Sequence, residues 1–314
     1  MKYIIKKTIT LIITLLVVTF LTFIAFELIP GDSALMHLGV DATEEQLEAL
    51  RDELGYNDSL FIRYGRWLGK AITGDFGEST KYNAPVSELI KERFPVTIGL
   101  AVLSIIIIIL VALPLGILTS RKEETRLEGV YLFFTQLGMA IPPFFLGILI
   151  TLVFGLMLRW FTPGAFVTLQ ESMGGFFYYL LFPAIAIAVP KIAMLVKFLK
   201  SSIKRQLTLD YVRTAKSKGS SLNRVLYGHV LKNALIPVIT FLAMVIADVF
   251  AGSIVVEQVF NLPGLGRLLV VAIANRDFPI VQAIVLYIAA IVLIMNFLVD
   301  VMYRIIDPRV EANG

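Results

Sequence analysis

Long apolar blocks recur along the chain, separated by segments in which Lys, Arg, Asp and Glu collect. The blocks cover residues 8–29, 96–119, 130–158, 177–196, 234–256 and 280–303. A helix needs roughly 20 predominantly apolar residues to cross about 30 Å of hydrocarbon, and each block supplies about that length. The pattern predicts an all-α polytopic membrane protein with about six transmembrane helices. Lys2, Lys6 and Lys7 precede the first block as they would precede a signal peptide, but the apolar run is too long for a secretory core. No small-residue cleavage site follows it, so it reads as a retained span.

Proline punctuates the third, fourth and fifth blocks. Pro142-Pro143 falls in the middle of the third, which is long enough to be tilted or broken. Pro183 and Pro190 lie in the fourth and Pro237 near the start of the fifth. Each removes a backbone donor and favours a kink, an ordinary packing feature that also suits the wall of a cavity. Between blocks one and two, residues 30–95 are polar enough to predict a small extracytoplasmic helical segment. Thr43-Glu44-Glu45-Gln46 has the form of a capping box, with a helix expected through Leu47, Leu50 and Leu54 and a stop at Gly55. A second helix is expected over 59–72.

Composition agrees with a lipid environment. The chain of 314 residues is 57% hydrophobic and 17% charged, whereas soluble domains hold about 25% charged residues. It has no cysteine, which excludes disulfides, thiolate nucleophiles and cysteine-ligated metals. The net charge of +4 matters less than its distribution. Segments 1–7, 120–129, 197–232 and 303–314 carry 17 of the 28 Lys and Arg residues, while the short loops 159–177 and 257–279 carry only Arg159, Arg267 and Arg276. Positive charge favours the cytoplasmic side, which predicts both termini inside and residues 30–95 outside.

The segment between blocks four and five, Leu207 to Val225, is the most informative. Asp210 can cap a short helix, Gly219 can end it in a left-handed conformation, and Ser220 or Ser221 can cap the next. The result is a helix–Gly–helix elbow on the cytoplasmic face. A basic loop that fixes topology or touches anionic lipid explains its charge but not its caps. A DNA-reading helix pair does not suit a segment tethered at both ends to membrane spans. A docking knob for a cytoplasmic partner explains both, with Tyr211, Val212 and small Ala215 as the expected contact.

Residues 210–233, DYVRTAKSKGSSLNRVLYGHVLKN, resemble the cytoplasmic signature of ABC importer permeases: Glu-Ala-Ala, three residues, Gly, nine residues, then Ile-x-Leu-Pro. Ala215, Gly219 and Leu231 match it. Arg213, Thr214, His229 and Lys232 depart from it in the manner of the dipeptide, oligopeptide and nickel branch. Ile29-Pro30-Gly31-Asp32, Gly74-Asp75-Phe76-Gly77, Pro114-Leu115-Gly116, Glu257 with Val259-Phe260, Pro263 to Arg267, Asn275 to Pro279 and Asp307-Pro308-Arg309 resemble that branch in order and spacing over nearly the whole chain.

The resemblance implies a type I ABC importer permease fold in the bacterial cell membrane. Residues 1–95 would hold the first span and outer segment, 96–307 a five-helix transmembrane domain with its coupling helix near 208–220, and 308–314 a cytoplasmic tail. The chain would form half of a pathway for di- or oligopeptides, with nickel or a metal chelate as the alternative cargo. The implied partners are a second homologous permease, two cytoplasmic ATPases and an extracytoplasmic binding protein. ATP and Mg would sit on the ATPases, with no cofactor, metal or catalytic residue on this chain. No Gly-x-x-x-x-Gly-Lys-[Ser/Thr] occurs in the sequence. Asp210, Tyr211, Val212, Arg213, Ala215 and Gly219 would be the ATPase-coupling residues.

Ionisable groups inside a bilayer are costly and often functional. Asp248 is the deep one in this reading, equally suited to lining a pathway or to a structural hydrogen bond. Glu257 and Asn296 are further pathway candidates. Glu27 lies near a span end, within reach of the interface. Asp300 is placed to pair with Arg304, four residues on. His37 and His229 are isolated, which does not suit a metal site. Pro263, Gly264 and Gly266 read as a tight outer loop. A secondary transporter or channel is the different-class alternative, and it would call for clustered mid-membrane charges and an inverted repeat, neither of which the sequence displays.

Overall fold

The computed structural model describes residues 2–28, 43, 45, 46, 48, 58–121 and 126–306. The expected helix through Leu47, Leu50 and Leu54, the motifs at Ile29–Asp32 and Asp307–Arg309, and the tail at 308–314 lie outside them. Among the described residues the structure is helical, with one isolated bridge between Glu78 and Pro85 and no strand. The elements are α1 (Lys2–Glu27), α2 (Leu60–Ile72), α3 (Val86–Ser120), α4 (Arg126–Ala140), α5 (Pro143–Ile150), α6 (Met173–Leu207), α7 (Asp210–Ser217), α8 (Leu222–Val225), α9 (Leu231–Val259), α10 (Leu265–Ala274) and α11 (Phe278–Ile306). Wide π turns extend α5 over Thr151–Met157 and join α8 to α9 over Leu226–Val230.

Five helices are long and apolar enough to cross a membrane, and the α4–α5 pair makes a sixth if its two arms count as one span. That pair bends by 98° at Ile141-Pro142. Pro142 lies in the extended region and Pro143 opens α5, so two consecutive rings end one helix and start the next. Pro183 and Pro190, in contrast, lie inside an unbroken α6. Both residues are buried, and the helix continues through each of them.

The chain divides into two compact units. The first comprises residues 1–95 and 264–293. In α1, Thr8, Thr10 and Thr14 turn their hydroxyls back to the carbonyls four residues earlier, which satisfies them within the helix where water is scarce. The α2 helix lies against α1 through Phe20, Phe23, Tyr64 and Trp67, with a 2.8 Å hydrogen bond between the Thr19 and Tyr64 hydroxyls. Glu27 pairs with Arg63 at the end of α1. The capping box at Thr43 and Gln46 forms reciprocally: the Thr43 N–H donates to Gln46 Oε1 and the Gln46 N–H to Thr43 Oγ1.

The segment 263–266 is not a tight loop. Gly264 is the cap of α10, whose Leu265, Gly266, Leu268, Leu269 and Ala272 are buried. Helix α10 ends with Arg276 in the left-handed region, the Arg276 N–H donating to Ile273 and the Asp277 N–H to Ala272. Asp277 is fully buried and accepts from Ser79 Oγ at 2.5 Å and from the Lys81 N–H at 3.2 Å, which ties the segment after α2 to the start of α11.

The second unit comprises residues 96–263 and 294–314. Helix α6 is its centre and packs against α9, α4 and α5. Small residues set the approach of the helices. A Cβ on Gly116 would meet Leu199 Cδ2 at 2.6 Å, one on Gly138 would meet Ala193 at 3.1 Å, and one on Gly147 would meet Phe260 at 3.0 Å. Aromatic rings fill the rest: Phe198 stacks on Phe241 at 4.4 Å and Phe161 on Phe182 at 4.3 Å. The Tyr179 hydroxyl accepts from the Gly164 N–H and donates to the Phe260 carbonyl, which pins the segment after α5 to the end of α9.

Candidate functional site

The elbow between α6 and α9 is built by local rules. Lys204 and Arg205 occupy the last turn of α6, where cations complement the carbonyl end of the dipole. Thr208 Oγ1 donates to the Arg205 carbonyl, and Leu209 adopts an extended conformation that turns the chain into α7. The cap of α7 is therefore Leu209 and not Asp210. Asp210 is the first helical residue, a favourable place for a negative charge, and its carbonyl accepts from Thr214 Oγ1.

The end of α7 is a Schellman motif. Gly219 has φ +81°, its N–H donates to the Lys216 carbonyl at 2.9 Å, and the Ser220 N–H donates to Ala215 at 3.2 Å. Ser221 then caps α8 by accepting from the Arg224 N–H at 3.5 Å. The π turn that follows buries Leu226 and Val230, and the Arg121 guanidinium lies 5.0 Å from the Tyr227 ring centre. Such turns are often found at functional sites. Ser202 Oγ donates to the Ala234 carbonyl, so α6 and α9 are joined beside the elbow.

The expected contact face of α7 is corrected by its packing. Val212 is 1% exposed, covered by this chain itself, so it anchors α7 instead of offering a contact. Tyr211 is half-buried and donates its hydroxyl to Gln206 Oε1 at 2.9 Å. The free face is polar and basic: Asp210, Arg213, Thr214, Lys216, Lys218 and Gly219 are exposed, with Ala215 between them half-buried.

Three arrangements of ionisable groups lie on the long helices of the second unit. The Lys200 ammonium, almost fully buried, donates to Glu128 Oε1 at 2.8 Å and lies 4.8 Å from the Tyr131 ring centre, which links α6 to α4. Glu257 is completely buried, and Thr97 Oγ1 donates to it at 2.7 Å. It joins α3 to α9 with no exposed surface, whereas its reading as a pathway residue calls for exposure. Asp248 has the opposite character. Its side chain is 54% exposed, and it accepts from Lys191 Nζ at 2.7 Å.

Lys191 is the residue that sequence reasoning missed. It lies directly after Pro190 near the middle of α6, and a lone cation in an apolar run was itself the signal. A charge at the centre of a span costs roughly 2.5–3.5 kcal/mol on insertion scales, so two of them on adjacent helices need each other, water, or both. Asn296 is exposed on α11. The Asp300 and Arg304 side chains and His37 lie outside the described residues. His229 is exposed in the π turn, and among the described residues no group of His, Cys, Asp and Glu could hold a metal.

Comparison with known proteins gives the elbow and spans a context. Residues 112–312 match the family model described as the binding-protein-dependent transport system inner membrane component, and residues 1–101 match the model for the N-terminal part of such membrane components. The oligopeptide transport system permease protein AppB of Bacillus subtilis is 36% identical, with 98% of this chain and 99% of that protein covered. A Brucella abortus protein provisionally named a peptide transport system permease is 38% identical over 98% of each chain. A Sinorhizobium fredii protein provisionally named a peptide ABC transporter permease is 33% identical over 98% of this chain and 99% of its own.

Proposed function

The chain belongs to the family of binding-protein-dependent transport system inner membrane components, and from that premise we propose that it is the half-pathway subunit of a peptide importer driven by separate ATPases. The multi-pass helical fold and the family establish an inner-membrane permease. Peptide as cargo is supported by the names of relatives that align with this chain from end to end. The remaining parts of the machine are a second permease, two cytoplasmic ATPases carrying ATP and Mg, and an extracytoplasmic binding protein.

One observation carries the coupling role. Helix α7 is a short, rigid projection, held from below by Val212 and closed by a Schellman motif, with a basic face uncovered between two membrane spans. A rigid helix set in a partner's groove transmits displacement efficiently. When the ATPases close on ATP, α7 moves as part of their rigid body, and Ser202 and Val225 pass the motion to α6 and α9. Asp210, Arg213, Ala215 and Gly219 form the docking side, while Tyr211 and Val212 hold it in place. This reading places the elbow and both termini on the cytoplasmic side, in keeping with the distribution of Lys and Arg. Of the pathway candidates, Asp248 and Asn296 have the exposure such a role needs.

The test is reconstitution. The permease pair, ATPases and binding protein in proteoliposomes should accumulate a labelled oligopeptide only with ATP. Uptake by this chain alone without nucleotide, or ATPase assembly that survives deletion of residues 210–219, would overturn the proposal.

A further inference from the structure

Helix α9 carries an uncovered stripe. Pro237, Thr240, Met244, Asp248, Ala251 and Val255 recur at three- and four-residue intervals, and all six are exposed. Its composition differs from the exposed faces of α1 and α3, where Ile9, Ile12, Ile13 and Leu16, and Val102, Ile106 and Leu110, present bulky aliphatic groups suited to lipid. Thr240, small Ala251 and the Asp248 carboxylate interrupt the apolar Pro237, Met244 and Val255, and a half-exposed carboxylate does not suit lipid. Beside that carboxylate, Lys191 reaches from the middle of α6, only 15% exposed, and donates to Asp248 Oδ2. The carboxylate has further acceptor capacity on its open side, and the ammonium has three donors on a flexible stem.

The geometry points to the Lys191–Asp248 pair as a station for the charged end of a peptide, with Asp248 receiving the free α-ammonium and Lys191 swinging to the nearest carbonyl or carboxylate of the cargo. This rests on the peptide-importer reading and deepens it. A zwitterionic cargo sheds much of its hydration in passing a narrow path, and fixed counter-charges replace that hydration. With no cargo the two side chains satisfy each other, which keeps both charges paired inside the membrane region. With cargo they exchange partners without leaving a bare charge. The stripe is then the wall of an aqueous pathway.

The chain contains no cysteine, so a single introduced thiol is the only one on it. Ala251→Cys lies one turn from Asp248 on the same stripe and disturbs no ion pair. Leu110→Cys, 67% exposed on α3, serves as the lipid-facing control. In the complete permease–ATPase complex in nanodiscs, a cationic, water-soluble methanethiosulfonate should modify Ala251→Cys far faster than Leu110→Cys, read by mass on this chain. A tripeptide with a free amino terminus should slow that modification, about fivefold at four times its dissociation constant, and the N-acetylated tripeptide should not. Adding Asp248→Asn, which keeps the shape and an acceptor for Lys191, should abolish the protection. An unreactive Ala251→Cys would put the stripe in lipid or in a protein interface and overturn the proposal. So would equal protection by both tripeptides, or protection that survives Asp248→Asn. The functional reading fails separately, if the unmodified importer with its binding protein and ATP takes up no peptide.

Discussion

Gly219 offers the sharpest test of the elbow. Its φ of +81° is in the region that L side chains avoid, and a Cβ built on it would meet nothing within 4 Å. Crowding therefore contributes nothing, and a substitution acts through backbone conformation alone. A side chain in the left-handed region costs roughly 1–2 kcal/mol, near the lower end for Ala and the upper for β-branched Val, while Asn is accommodated by its short polar side chain. A loss of 1–2 kcal/mol lowers the ratio of closed to frayed elbow by a factor of about 5–30. The amides of Gly219 and Ser220 report on it, because they donate the two bonds of the Schellman motif. Hydrogen exchange at these amides should accelerate in the order Gly, Asn, Ala, Val, and ATPase co-purification should fall in the same order, with membrane insertion constant. Equal exchange for Gly219→Val and the unmodified chain would refute the closed turn. Docking as poor for Gly219→Asn as for Gly219→Val would show that the left-handed residue is not what the partner depends on.

Four further outcomes are expected. Gly116→Ala drives a methyl group to 2.6 Å from Leu199 and should lower the stability of the detergent-solubilised protein by about 1–3 kcal/mol, with Leu199→Ala in the same chain recovering part of the loss in thermal unfolding. Thr97→Val removes one donor to the buried Glu257 and should cost about 1–3 kcal/mol, whereas Thr97→Ser should retain most of the stability; equal unfolding midpoints for the two variants would exclude this hydrogen bond as the cause. Val212→Asp places a charge beneath α7 at a cost of about 3–5 kcal/mol and should loosen the elbow, with faster exchange throughout α7. Arg213→Glu, on the exposed face, should leave exchange unchanged and weaken ATPase binding.

Most of the secondary structure was legible because its rules are local. A run of apolar residues has to satisfy its own backbone hydrogen bonds in lipid, and a helix does this within one segment. The same locality made the capping box at Thr43, the break at Pro142-Pro143, the helix α2 and the turn at Gly219 readable. The errors arose where local signals give two answers. Asp210 and Leu209 both stand at a possible helix start, and the extended backbone of Leu209 decides between them. The Pro-Gly run at 263–266 reads as a turn, yet α10 begins there because its leucines and alanine have a core to enter. Lys191 was passed over because one cation hardly lowers the mean hydropathy of a long apolar block.

The sequence by itself determined the order and bounds of the apolar helices, the elbow and its glycine, and the family, since each depends on residues close together along the chain. Tertiary structure decided which side of each helix is covered. It turned Val212 into an anchor, enclosed Glu257 with Thr97, left Asp248 open, and set Lys191 beside it from a different helix 57 residues away. Those outcomes depend on the rotation and close approach of α3, α6 and α9, which glycines and ring stacking fix in space and no periodicity within one segment encodes.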